Sequence, residues 1–120
     1  MKRDMDIVRK IALALRDSDK MLNSVDGIED PQFRMHAQLL IEARLAEGTA
    51  SKTIHNQNFP MHVMLFRLTW AGHDFADSID DETLWKKAKE HVIKPGASWS
   101  FGVLGEWLKM EMKTRLGIPL

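Results

Sequence analysis

The fold is decided by residues 30–69, which read DPQFRMHAQLLIEARLAEGTASKTIHNQNFPMHVMLFRLT. The pair Asp30-Pro31 is typical of a helix start, because proline fits the first helical position, where a missing N–H costs nothing. Apolar residues then recur at helical spacing, at Phe33, Ala37, Leu40, Ile41 and Leu45. We expect this helix to end near residue 47, with a glycine at position 48 as its stop.

A β-hairpin is predicted after this helix. Residues 46–52 form a short segment that could be extended, and residues 61–68 form an apolar run between Pro60 and Thr69. The polar composition of residues 53–60 is typical of a loop. A helix followed by a hairpin is the arrangement found in winged-helix domains, where the loop between the strands is the wing.

Further helices flank this unit. Residues 2–17 repeat apolar side chains at three- and four-residue steps, at Met5, Val8, Ile11, Ala12 and Leu15. Thr69 can cap a later helix, residues 80–82 suit the first turn of the next, and a last helix should run to about Leu116. The predicted fold class is α+β and mostly helical. A winged-helix-like body of helix, helix and hairpin covers residues 1–79, and a C-terminal helical extension at 80–120 packs on it as one domain.

Composition excludes several classes of function. The chain has 120 residues and no cysteine, which excludes disulfides, thiolate metal sites and cysteine nucleophiles. Its five histidines form no metal-ligand spacing, and no nucleophile motif or phosphate-binding loop occurs. We therefore predict no enzyme activity, no metal and no cofactor. No apolar run approaches the ~18 residues of a membrane span, and no signal peptide begins the chain, so a cytoplasmic protein is expected.

Four stretches carry a resemblance to a known family. They are MKRDMDIVRKI at 1–11, MHAQLL at 35–40, RLTWAGHDF at 67–75 with the residues around Trp85, and the tail from Ser100 to Gly117. In these stretches the chain resembles the bacterial and prophage family called domain of unknown function 2513. The resemblance implies a winged-helix-like body and a phage or prophage setting, and it brings no known activity. The chain departs from the family in having Arg44 where glycine is usual.

DNA binding is the first function hypothesis, and it follows by analogy with the fold. The helix before a winged-helix hairpin normally lies in the major groove, where arginine can recognise guanine and glutamine adenine. The chain N-terminus and the hairpin could add phosphate contacts. The candidate nucleic-acid-binding residues are Gln32, Arg34, Gln38, Arg44, Lys52, Lys2 and Arg3.

Charge distribution weakens that hypothesis. The chain has 17 basic and 17 acidic side chains, but residues 21–82 hold four basic and ten acidic ones. Nonspecific affinity for DNA comes mostly from lysine and arginine contacts with phosphate. The central helix is therefore equally well interpreted as a core helix with a solvated polar face. The second function hypothesis is a protein-binding accessory or inhibitor, for example of a host defence or regulatory protein, without DNA binding.

The second half of the chain carries the candidate partner interface. All four tryptophans lie there, and Trp99 beside a proline and a glycine is the one expected to be exposed. The last helix has a wide apolar face, which favours a homodimer, and methionines adapt well to a partner surface. The candidate interface residues are Trp99, Trp107, Met110 and Met112.

Overall fold

A computed structural model describes residues 1–52, 60–93 and 101–115 of the chain. The chain divides into two compact units, Met1–Ala76 and Asp77–Leu120. The helices and strands in chain order are α1 Met5–Asp17, α2 Asp30–Glu42, β1 Ala46–Lys52, β2 Pro60–Leu68, α3 Trp70–Ser78, α4 Glu82–Ala88, a π-helical segment Lys89–Ile93, and α5 Phe101–Arg115. The predicted α+β, mostly helical class is confirmed. The specific winged-helix arrangement stays a prediction.

Helix α1 buries the apolar face that its sequence predicts. All five predicted positions are at most 5% exposed, and Ile11 and Ala12 are fully buried. The helix begins at Met5 rather than Lys2, because Asp4 caps it: the Asp4 carboxylate accepts a hydrogen bond of 2.9 Å from the Asp6 N–H.

A buried histidine ties α1 to α2. His36 is 1% exposed, and its Nε2 accepts a 2.8 Å hydrogen bond from the Asp4 main-chain N–H. Because a main-chain N–H can only donate, the ring proton is assigned to Nδ1, which lies 2.7 Å from the Gln32 carbonyl. Both ring nitrogens are therefore satisfied in the core.

The hairpin is antiparallel, as predicted, and β2 carries two β-bulges. Glu47 lies opposite Arg67 and Gly48 opposite Leu65, which leaves Phe66 as the extra residue of one bulge. The second bulge makes Met61 the extra residue in the same way. A single bridge to Leu22, with hydrogen bonds of 2.9 and 2.8 Å to Leu65, continues the pairing on the other edge of β2.

The predicted end of α2 was wrong. The helix stops at Glu42 because Arg44 adopts a left-handed conformation with φ of 61°. The Arg44 N–H donates to the Ile41 carbonyl and the Leu45 N–H to the Leu40 carbonyl, each at 3.0 Å. This pair of bonds is the Schellman ending of a helix. Position 48, predicted as the stop, lies within β1 instead.

The end of α2, the start of β1 and the start of α3 meet at one point. We call it the Leu45 junction, and it is formed by Arg44, Leu45, Thr69 and Gly72. The Thr69 N–H donates to the Leu45 carbonyl at 2.9 Å, and the Thr69 hydroxyl donates to the Arg44 carbonyl at 2.8 Å. The same hydroxyl accepts a 3.0 Å bond from the Gly72 N–H and so caps α3. A Cβ at position 72 would overlap the Leu45 carbonyl oxygen. Only glycine fits there.

The second unit is built on a capped α4. The Asp81 carboxylate accepts a 2.9 Å bond from the Leu84 N–H and pairs with the Arg115 guanidinium at 2.9 Å. These two contacts hold the pKa of Asp81 below its usual value. The sequence also predicts Trp85, Ala88 and Val92 as the inward positions of this helix, and the structure confirms that they are buried. Leu84 of α4 and Leu104 and Leu108 of α5 are buried as well.

Replacement of Arg44 by glycine should stabilise the protein. A left-handed conformation costs a residue with a Cβ about 1–2 kcal/mol, and glycine avoids that cost. We expect Arg44→Gly to raise the free energy of unfolding in urea by about 1 kcal/mol. Arg44→Ala is the matched control, because it removes the same charge and keeps the Cβ. Equal stabilities of the two variants would contradict the left-handed conformation of residue 44.

Candidate functional site

Trp70 is the most exposed large apolar side chain of the described residues, at 85% of its surface. It is the first residue of α3, directly after the Thr69 cap. At about 100° per residue, Gly72 and Ala76 lie some 160° and 120° around the helix from it. Those two residues are buried. The Leu45 junction therefore fixes α3 with its glycine inward and its tryptophan outward.

The residues that follow Trp70 on the outer face of α3 are polar. His73 and Asp74 are exposed, and Asp74 lies one helical turn after Trp70. We call Trp70, His73 and Asp74 the Trp70 surface. Outside this surface, β2 exposes the extra residue of each of its two bulges, since Phe66 is 44% and Met61 46% exposed.

Arg34, the central candidate for DNA recognition, makes contacts within the protein. Its Nη1 donates to the main-chain carbonyls of Pro60 and Met61 at 3.1 and 3.0 Å. Its Nε lies 3.2 Å from an oxygen of Asp30, and the side chain is only 20% exposed. The guanidinium thus ties α2 to the start of β2, and recognition of a base would require it to break these contacts.

The other predicted nucleic-acid-binding residues do not converge on one face. Gln32 lies about 160° around α2 from Arg34, on the flank where Asp4 bonds His36. The exposed Lys2 and Arg3 directly precede Asp4 on that same flank.

The remaining candidates lie elsewhere. Gln38 is half-buried, one turn after Arg34. Lys52 pairs with Pro60 at the end of β1, and its side chain lies outside the described residues. Arg44 is exposed at the Leu45 junction. The structure therefore brings Arg34 and Gln38 together and separates them from the N-terminal cations.

A cleft of about 460 Å³ lies between α2 and the hairpin. Its charged groups, Asp30 and Arg34, pair with each other. Besides this pair, the cleft presents neutral polar and apolar groups in about equal measure. These polar groups include Asn23, Thr49, Ser51 and His62.

The predicted partner residues are also divided. Trp107 is half-buried and stacks on His91, with ring centroids 6.2 Å apart. Met110 and Met112 are 53% and 38% exposed but lie about 160° apart around α5. Met110 instead shares a stripe with Val103, which is 51% exposed. Trp99 lies outside the described residues. The predicted homodimer stays a prediction.

The described residues indicate neither a metal site nor a membrane-spanning helix. Within residues 1–52, 60–93 and 101–115, no group of three acidic, histidine or cysteine side chains could hold a metal ion. The helices in those ranges include none with the length and apolar character needed to cross a bilayer.

The exposure of Trp70 was not predicted, although the sequence contains the pattern that indicates it. Placing Gly72, Phe75, Ala76 and Ile79 on one side of a helix after Thr69 puts Trp70 on the opposite side. Exposure was predicted for Trp99 instead, because that residue follows a proline and a glycine.

Comparison with known proteins gives a family match. The family described as "Hypothetical protein (DUF2513)" matches residues 2–98. The chain belongs to this DUF2513 family. An uncharacterized protein of Haemophilus influenzae is 29% identical over 97 residues, which cover 77% of this chain and 79% of the relative. No solved structure matches the chain. The family match ends before α5, so the resemblance of the tail stays a prediction.

Replacement of Trp70 should leave the stability of this DUF2513 protein unchanged. Exposed side chains without packing contacts usually alter the free energy of unfolding by no more than about 0.5 kcal/mol. We therefore expect Trp70→Ala to change the free energy of unfolding in urea by no more than about 0.5 kcal/mol. Trp85→Ala, at a 3% exposed position, should cost about 3–5 kcal/mol. A loss of more than about 2 kcal/mol for Trp70→Ala would mean that the indole is packed in the folded protein.

Proposed function

We propose that this protein is a non-enzymatic protein-binding module, an accessory or inhibitor encoded by a phage or prophage, and that Trp70 is its main contact residue. The observation that carries the proposal is the 85% exposure of that tryptophan. Leaving a large aromatic side chain in water forgoes on the order of 3–5 kcal/mol of burial. A partner that covers Trp70 would recover that free energy.

Tryptophan suits such a role because of its size and stiffness. Trp, Tyr and Arg are the residue types most often found to dominate the binding energy of protein interfaces. Trp70 is the first residue of a helix whose start is fixed by the Leu45 junction. The backbone that carries the indole therefore loses little conformational freedom on binding.

Duplex DNA receives less support as the partner. The guanidinium of Arg34 is engaged by two carbonyls and by Asp30. Arg67 on β2 is engaged as well, with its Nε and Nη2 at 3.0 and 2.9 Å from the carboxylate of Glu47. Cations that are paired within the protein release fewer counterions from DNA. The DNA-binding regulator stays a prediction.

The protein-binding proposal is tested by capture with matched variants. The purified chain, Trp70→Ala and Met21→Ala are immobilised, and proteins retained from a bacterial lysate are quantified by mass spectrometry. Met21 is the control because it is also exposed, at 60%, and lies outside the Trp70 surface. We expect at least one protein to be retained about tenfold less by Trp70→Ala and equally by Met21→Ala. Equal retention by all three would contradict the proposal.

A parallel titration with duplex DNA tests the hypothesis of a DNA-binding regulator. DNA affinity that falls steeply between about 50 and 200 mM salt is the signature of phosphate contacts. If the chain shows this behaviour, and Trp70→Ala binds DNA as well as the wild type, the regulator hypothesis replaces the protein-binding proposal. We expect no such binding.

A further inference from the structure

Trp70 and Asp74 stand side by side on the exposed face of α3. Residues four apart in a helix have their Cβ atoms about 5–6 Å from each other and point in the same direction. Both side chains are exposed. The pair thus presents an aromatic face next to a carboxylate.

The Asp74 carboxylate is available to a partner. In the described part of the chain, neither it nor the Trp70 ring makes a hydrogen bond, ion pair or ring contact through its side chain. Glu47 is the contrasting case, since both of its carboxylate oxygens are occupied by Arg67. In the first unit, residues 61–76 hold one basic side chain, Arg67, which is the one paired with Glu47, and one acidic side chain, Asp74. Asp74 therefore gives the Trp70 surface a negative charge. A cationic partner group is the complement of this surface.

We propose that Trp70 and Asp74 clamp an arginine side chain of the partner protein. The indole lies against the flat guanidinium, and the Asp74 carboxylate accepts its hydrogen bonds. Tryptophan is the aromatic side chain that attracts cations most strongly. Arginine fits better than lysine because its planar group can stack on a ring and pair with a carboxylate at the same time. The proposal rests on the protein-binding function and adds the chemistry of the partner.

A peptide titration followed by NMR tests the clamp. The probes are tetra-arginine, tetra-lysine and tetra-citrulline with blocked ends, and citrulline keeps the shape of arginine without its charge. The indole N–H resonance of Trp70 is assigned by its loss in Trp70→Phe. We expect this resonance to shift with tetra-arginine, several-fold more weakly with tetra-lysine, and not with tetra-citrulline. An equal response to tetra-citrulline, or none to millimolar tetra-arginine, would overturn the clamp.

Matched charge variants separate the clamp from a general charge effect. Asp74→Asn should weaken the binding of tetra-arginine about threefold or more. Glu42→Gln removes an exposed carboxylate on α2 and should leave the affinity unchanged. Equal weakening by both variants would show that net charge, and not the clamp, attracts the peptide.

The result can be distinguished from failure of the proposed function. If Trp70→Ala loses the captured protein while Asp74→Asn retains it fully, the clamp fails and the protein-binding function stands. If Trp70→Ala also retains the captured protein, both fail.

Discussion

The contacts of Thr69 with the end of α2 are the constraint on which the first unit depends. The Thr69 hydroxyl donates a hydrogen bond to the Arg44 carbonyl, and the Thr69 main-chain N–H donates one to the Leu45 carbonyl. The same hydroxyl caps the start of α3. The end of α2, the first residue pair of the hairpin and the start of α3 are thereby fixed together. Gly72 completes the junction because any larger residue would overlap the Leu45 carbonyl.

This junction gives a structural explanation for the run Leu-Thr-Trp-Ala-Gly at residues 68–72. Leu68 is buried, Thr69 caps, and Gly72 permits the close approach. Trp70 takes no part in these contacts, and its large apolar surface faces solvent. Folding explains Leu68, Thr69 and Gly72, and Trp70 is the large apolar residue of the run that is left for binding. That contrast is the basis of the proposed function.

Local patterns in the sequence predicted more of the fold than of the candidate site. The buried face of α1 followed from the helical spacing of its apolar residues, and the hairpin followed from an apolar run next to a stretch of polar composition. The end of α2 could not be predicted from local residues, because the left-handed Arg44 is held by Thr69, which is 25 positions later. The contacts of Arg34 depend on the main-chain carbonyls of residues 60 and 61, which lie 26 and 27 positions later in the sequence.

The hypothesis of DNA binding also depended on contacts that local sequence patterns do not reveal. Composition showed the acidic character of residues 21–82, but only the structure shows that Arg34 and Arg67 are engaged within the protein. Exposure of Trp70, by contrast, was predictable from helical geometry once Gly72 was placed inward. Candidate interaction residues of this kind are large apolar side chains that the predicted packing of a helix leaves exposed.

The most direct test of the account is the free energy of unfolding of Gly72→Ala compared with Gly105→Ala. Both substitutions add a methyl group within a helix, and a Cβ at Gly105 would meet no atom within 4 Å. We predict that Gly72→Ala lowers the stability by about 1–3 kcal/mol, because the junction must open. Gly105→Ala should raise it by up to about 1 kcal/mol. A Gly72→Ala protein as stable as the wild type would contradict the junction and the orientation that it gives to Trp70.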